Sequence, residues 1–278
     1  MKKISLILAT ILFLTGCGKQ VGLQPVDYGL QSTADGLQAD DQSAIINAQL
    51  SNSNQPVVNI EKTNNQQQTV SNINTNKTIP DPPASFDIKV AFASQAPLGD
   101  WNMPYQEACE EASMIMAARY YKGEKLDANI MNEEILKLVK WEEENGYALD
   151  LTSAEVVAIL DKYFGVKSEV SKEVTAGRIK KEIAAGHLII APAAGRDLGN
   201  PNYRAPGPLF HMLVIRGYNP TNFITNDPGT RKGDGYQYSY GDLLWAIHDW
   251  NGGTRIYKDP RPEPEINKGE KVMVVVGV

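Results

Sequence analysis

His211-Met212-Leu213-Val214-Ile215-Arg216-Gly217-Tyr218-Asn219-Pro220-Thr221-Asn222-Phe223-Ile224-Thr225-Asn226-Asp227 is the stretch whose reading decides the fold. An apolar run, Met212-Leu213-Val214-Ile215, leads into Tyr218-Asn219-Pro220-Thr221, which has turn chemistry. A second β-rich run, 222–226, follows. Two such runs joined by a short turn predict a hairpin. The hairpin brings residue 227 back beside residue 211 at the same end. A histidine on the first residue of a strand can face a cleft while the strand behind it stays rigid. A carboxylate returning beside it can hold the ring in one tautomer. Standing alone before Pro228-Gly229, Asp227 would equally suit a turn.

Outward from this hairpin the texture differs on its two sides. Residues 187–192 and 271–278 are short and β-rich, and 239–250 reads as a late helix. Toward the N-terminus, 86–92 alternates as a strand should. Four helices are then predicted: from 105 or 108 to 121, stopped by Gly123; 132–144; one opened by the capping box Thr152-Ser153-Ala154-Glu155 and ended by Gly165; and 175–185. Helices first and strands later predict an α+β fold, with the N-terminal helices packed on one side of an antiparallel sheet.

Cys109 opens the first of these helices, in Glu107-Ala108-Cys109-Glu110-Glu111-Ala112-Ser113. A free cysteine ordinarily behaves as a small buried hydrophobe. As a nucleophile it needs a thiolate, a base and a group that orients the base. The helix start favours a thiolate, whereas Glu107, Glu110 and Glu111 oppose one, so a partner imidazole is required. His211, oriented by Asp227, is the candidate. His187 precedes a strand with no carboxylate returning at a matched distance, so it is expected at a surface or strand edge. His248, beside Trp245 and Trp250 in the late helix, is expected to be packed and hydrogen-bonded. For the oxyanion, the Cys109 backbone N–H is one donor and a glutamine the second. Gln95 is favoured over Gln106, which lies one helical turn before the thiol and should point along the helix.

The N-terminus predicts export. Met1-Lys2-Lys3 is basic, 4–14 is apolar but too short to span a bilayer, and Leu14-Thr15-Gly16-Cys17 closes the run with small residues. This tetrapeptide resembles the bacterial lipobox. The resemblance implies a signal peptide over 1–16, an acylated Cys17 (a palmitate-type anchor), and a cell-membrane or outer-membrane, extracytoplasmic location. Residues 17–85 are rich in Gln, Asn, Ser and Thr and nearly free of aromatics, which predicts a disordered tether. As a random coil it would reach roughly 40–50 Å. The domain is then expected over 86–278, as a monomer. A net charge of −6 argues mildly against nucleic acid. No Cys-x-x-Cys, Walker loop or helical pair of histidines suggests a metal or other cofactor.

Ser94-Gln95-Ala96-Pro97, Trp101, Cys109-Glu110-Glu111-Ala112-Ser113, His211 and Asn226-Asp227-Pro228-Gly229-Thr230 together resemble the C39-like cysteine peptidases. So do the segment 198–208 before the histidine and Tyr238-Ser239-Tyr240. The resemblance covers nearly everything after about residue 86. It implies a papain-like fold, a Cys109–His211–Asp227 triad with Gln95 at the oxyanion, and hydrolysis of a peptide or protein substrate. Bacteriocin-processing members carry glutamine six residues before the cysteine and sit on transporters. Here that position is Met103, so leader cleavage coupled to export is not implied. A cell-wall amidase and a catalytically silent surface-binding lipoprotein are the alternatives.

Overall fold

In the computed structural model the described residues are 81–255, 258 and 260–278. The expected signal peptide, Cys17 and nearly all of the tether lie outside them. The architecture is α+β, with five α-helices and a seven-stranded antiparallel sheet. In chain order the elements are β1 (Phe86–Asp87), α1 (Cys109–Lys122), α2 (Ala128–Glu144), α3 (Ser153–Ile159), β2 (Ser168–Ser171), α4 (Ala176–Ala184), β3 (Leu188–Ala194), β4 (Phe210–Tyr218), β5 (Asn222–Asn226), β6 (Asp234–Ser239), α5 (Tyr240–Ala246) and β7 (Met273–Val276). The sheet runs β2-β7-β3-β4-β5-β6, and β1 pairs with the end of β4.

The predicted hairpin is β4–β5. Val214 pairs with Asn226 and Tyr218 with Phe223, with a bulge between Ile215 and Gly217. Every residue of β3 and of β4 is buried. Strands buried on alternate side chains in both directions have both faces covered. At the centre of the sheet, where the runs are continuously apolar rather than alternating, both faces are therefore covered. α1 packs on β4 and β3, and its own core face holds Ala112, Met114, Ile115, Met116, Ala117 and Ala118.

Local chemistry sets most of the boundaries. Gly123 ends α1 in the left-handed region at φ 65°, where glycine carries no Cβ penalty. Thr152 and Glu155 form the expected capping box of α3. α2 starts four residues before the predicted 132, because Asp127 accepts a hydrogen bond from Ile130 N–H and caps it there. α3 passes into a π-helical turn, Leu160–Phe164, before Gly165 stops it.

Three predicted elements change. The strand expected over 86–92 keeps only two paired residues. Beyond them Asn226 Nδ2 and Arg216 Nη1 donate to the Val90 carbonyl, so side chains replace a ladder. The late helix ends at Ala246 rather than 250. Ile247 instead bridges to Ala193 of β3, and His248 N–H donates to the Pro192 carbonyl. β2 and β6 were not foreseen, since Ser-Glu-Val-Ser and Asp-Gly-Tyr-Gln-Tyr-Ser lack an apolar signal.

Candidate active site

Asp227 is fully buried and takes five donors. Its Oδ1 accepts from His211 Nε2 at 2.8 Å and from Gly229 N–H at 3.0 Å. Its Oδ2 accepts from Tyr238 Oη at 2.6 Å, Tyr203 Oη at 2.7 Å and Asn200 Nδ2 at 3.0 Å. Burial alone would push this carboxyl up. The charge and hydrogen bond of His211, with the two tyrosine hydroxyls, outweigh burial and hold it below the ordinary aspartate value. Asp227 therefore stays ionised and fixes the His211 ring through Nε2. Nδ1 is left as the ring nitrogen available to a thiol.

The same carboxylate explains the segments around it. Asn200 lies in the connection before β4 and Tyr203 soon after it. The Tyr203 ring packs edge-on against His211, 5.5 Å between centroids. Gly229 is needed for space, since a Cβ there would lie 2.8 Å from His211 Cε1. Pro228 ties in the upstream motif. Gln95 N–H and Ser94 Oγ both donate to the Pro228 carbonyl, at 3.0 Å and 3.1 Å. The Ser94-Gln95 and Asp227-Pro228-Gly229 segments are thus one structural unit.

Cys109 is the first residue of α1 and is 5 % exposed. Its backbone N–H belongs to the turn whose donors have no intrahelical acceptor. Cys109 and His211 line one cavity of about 330 Å³, with Gln95, Trp101, Gln106, Glu107, Glu110, Tyr203, Arg204 and Gly229 among its walls. Within hydrogen-bonding reach, the thiol donates not to His211 but to Glu110 Oε2, at 2.9 Å. Burial, then the charge and hydrogen bond of Glu110, push the thiol well above its ordinary value; only the backbone N–H of Met212 pulls the other way. The helix start does not win here, because burial and a carboxylate in contact exceed a partial charge at the helix end.

Gln95 and Gln106 both reach the cavity. Gln95 Nε2 donates to the Tyr105 and Gln106 carbonyls, at 2.9 Å and 3.2 Å, while its buried Oε1 has no partner. In this arrangement both Nε2 protons are directed at backbone, so an oxyanion role requires the side chain to turn. Gln106 Nε2 lies 3.3 Å from Glu107 Oε1. His187 is partly buried, with Nδ1 2.7 Å from Glu182 Oε2, and His248 is buried, with Nδ1 3.4 Å from the Ala246 carbonyl. Neither lines the cavity.

Acidic side chains lining the same cavity are tied down by arginine. Arg255 bonds Asp150 through Nε and Nη2 and reaches Glu107 at 2.6 Å. Arg196 forms a fork with Glu263, at 2.7 Å and 3.0 Å. Reading from sequence missed Asn200, Tyr203 and Tyr238 as ligands of Asp227. The signal was present, since 198–208 and Tyr238-Ser239-Tyr240 belong to the family resemblance without carrying an assigned role.

The sequence matches the Peptidase_C39 like family over residues 87–252. The chain belongs to this family. Membership points to a papain-like cysteine peptidase. A crystal structure from Bacillus anthracis, provisionally assigned as a C39-like peptidase, is similar in fold with a TM-score of 0.44 and 12 % identity; the match covers 69 % of this chain and 96 % of that one. No curated protein matched the sequence. The matched span contains Gln95, Cys109, His211 and Asp227. Among the described residues no group of three or more His, Cys, Asp or Glu side chains has the geometry to hold a metal ion.

Proposed function

We propose that this chain is a membrane-anchored, extracytoplasmic cysteine peptidase using Cys109, His211 and Asp227. The observation that carries the reading is the His211–Asp227 pair: a buried carboxylate with five donors fixes Nε2, and the ring lines the same cavity as a thiol at a helix start. In the reaction His211 Nδ1 takes the Cys109 proton, and the sulfur attacks the substrate carbonyl carbon. The oxyanion is held by the Cys109 backbone N–H and by the Gln95 amide once it swings into the cleft. The tetrahedral adduct collapses as His211 gives its proton to the leaving amine, which leaves a thioester. Water, deprotonated by His211, attacks the thioester, and the proton returns to sulfur as the acid departs. Acylation of Cys17 would hold the enzyme at the membrane through the tether.

A second reading is favoured by one specific observation, the thiol bonded to Glu110 with its ionisation opposed. That reading is a silent binding lipoprotein of the same fold. Incubating the full-length protein with a mixture of unstructured polypeptides, beside Cys109→Ala, separates the two. Cleavage lost in the folded variant supports the peptidase. No cleavage by either, with polypeptide retained equally by both, supports the binding protein. Release of stem peptide from cell-wall fragments in place of polypeptide cleavage would indicate an amidase.

A further inference from the structure

Among the described residues, three arginines line the cavity that holds Cys109 and His211: Arg196, Arg204 and Arg255. Two of them are used inside the protein. Arg196 forks Glu263 at 2.7 Å and 3.0 Å, and Arg255 reaches Glu107 at 2.6 Å and Asp150 at 2.9 Å. The fourth lining carboxyl, Glu110, is 1 % exposed and is held by the Cys109 thiol and the Leu151 backbone N–H. Every acidic side chain on the cavity wall therefore has its partner within the fold. Arg204 has none. It is exposed, and among the described residues no carboxylate, carbonyl or ring engages its guanidinium.

A solvated surface arginine is ordinary; the placing of this one is not. Its loop is pinned on both sides of residue 204. Upstream, Asn200 and Tyr203 donate to Asp227 Oδ2 at 3.0 Å and 2.7 Å, and the Tyr203 ring packs on His211. Downstream, Gly207 N–H donates to the Arg204 carbonyl at 2.8 Å, and Gly195 N–H to the Leu209 carbonyl at 3.1 Å. The backbone of residue 204 is thus fixed beside the catalytic ring, and its side chain is left without a task. A guanidinium offers a planar fork of donors that fits a carboxylate through two parallel bonds. A cavity of about 330 Å³ is on the order of 9 Å across, and an extended chain covers about 3.3–3.6 Å per residue. A carboxylate seated on Arg204 therefore lies within about two residues of the carbonyl that Cys109 attacks. We propose that Arg204 is a specificity-determining residue that binds a substrate carboxylate, carried by an acidic side chain or by the chain end, close to the scissile bond. This inference rests on the peptidase reading. A basic substrate group has no such welcome, since it would have to take Glu263 from Arg196 or Glu107 from Arg255 and leave a guanidinium unpaired.

The test is cleavage of a proteome-derived peptide library by the full-length protein, with each cut located by mass spectrometry. At one position within two residues of the cut, aspartate and glutamate should exceed asparagine and glutamine about tenfold, as a charge-assisted hydrogen bond allows. Arg204→Gln should bring that ratio to about one. Arg204→Glu should turn the preference at the same position to lysine and arginine, an inversion that a merely structural role would not produce. Arg204→Lys keeps the charge without the fork and should keep part of the preference. A chain-end carboxylate would instead confine the cuts to the last two residues of each peptide, and amidating the library would abolish them. Cuts that show neither pattern, or that keep it unchanged in Arg204→Glu, overturn the inference and leave the peptidase reading standing. A wild type that cuts nothing overturns the peptidase reading, and retention of the same library on immobilised protein then decides the carboxylate site. Acidic peptides held by wild type and released by Arg204→Glu keep it; equal retention removes it.

Discussion

Two buried acidic regions flank the cleft, and they behave oppositely. Asp227, under His211, is as buried as any residue in the protein, yet its carboxyl sits below the ordinary value. Glu110, Glu111 and Glu142, behind Cys109, are 1 %, 5 % and 4 % exposed, and all three are pushed up, Glu142 to about 8. Burial is common to both regions and cannot explain the difference. Donors explain it. Asp227 receives a ring nitrogen, two phenols, an amide and a backbone N–H. On the other side Glu111 Oε2 and Glu142 Oε1 have no donor, and the two carboxyls face each other. A buried carboxylate is kept by its donors; without them it keeps its proton instead.

Breaking the well-supplied side should have the largest effect. Asp227→Ala leaves Asn200, Tyr203, Tyr238 and His211 in a dry site without their common acceptor. Urea unfolding should show a loss of about 3–5 kcal/mol, the usual result of removing one partner of a buried charge pair. Peptide turnover should disappear as well, since His211 loses its tautomer. A variant unfolding within about 1 kcal/mol of wild type would mean that the five-donor geometry contributes little.

The poorly supplied side gives a pH test with the opposite sign. Glu142 holds its proton in the folded protein up to about 8, against 4.5 for the free group. Its contribution to stability is complete below about pH 4.5 and is lost as pH rises toward 8. Asp227 acts inversely. Its folded value is lowered, so its contribution is present above the unfolded value of 3.8 and is lost as pH falls through the folded one. Stability should therefore peak on the acid side of neutrality. Raising the pH from about 5.5 to about 9 should lower the melting temperature by roughly 4–8 °C, the equivalent of about 2 kcal/mol for a domain this size. Glu142→Gln should flatten that alkaline fall. A flat wild-type profile would show that the carboxyl cluster has found solvent or cations.

How much of this was legible beforehand follows the same division. The His211–Asp227 pairing could be read because a hairpin has one register: two apolar runs around Asn219-Pro220 leave little freedom in where residue 227 returns. The α+β order and the caps at Thr152, Gly123 and Gly165 were legible for similar local reasons. The acidic cluster was not. The adjacent Glu110 and Glu111 are some thirty residues or more from Glu142 and Asp150 in sequence, and glutamates on a helix ordinarily face solvent. Only the packing of α2 against α1 turns Glu142 inward. The Asn200–Tyr203–Tyr238 donors come from a loop and a strand with no apolar pattern, so their convergence is likewise a property of the tertiary fold.

A smaller change probes the geometry of the supplied side without removing its charge. Gly229→Ala places a Cβ 2.8 Å from His211 Cε1 and 3.1 Å from Tyr203 Cε1. Both rings are held by Asp227, so the clash should tilt His211 rather than unfold the protein. The expected cost is about 1–2 kcal/mol in stability, typical of overpacking, with a loss of about tenfold or more in kcat. Unchanged kcat would mean that the ring has slack that the five-donor arrangement does not suggest.

The smallest effect should come from Arg255, a guanidinium that serves the acidic side. Arg255 is bonded to Asp150 and Glu107, and its own side chain is 21 % exposed. Burial already lifts the Asp150 carboxyl, and the hydrogen bond and charge of Arg255 hold it back. Arg255→Met removes that restraint and keeps most of the apolar stem against Trp250, over whose ring the guanidinium lies at 5.8 Å. Asp150 then joins the carboxyls that hold a proton in the folded state. At about pH 5.5 the loss should be only about 1 kcal/mol, because a protonated Asp150 needs no cation. Above neutrality the loss should grow, since the folded protein must then ionise one more carboxyl without a donor. Melting curves of wild type and Arg255→Met should consequently diverge as pH rises, and parallel curves would show that Asp150 draws its donors from elsewhere. Divergence would show that the supply of donors sets how far these buried carboxyls are lifted, since removing a single cation would have pushed the already raised Asp150 further toward the behaviour of Glu142.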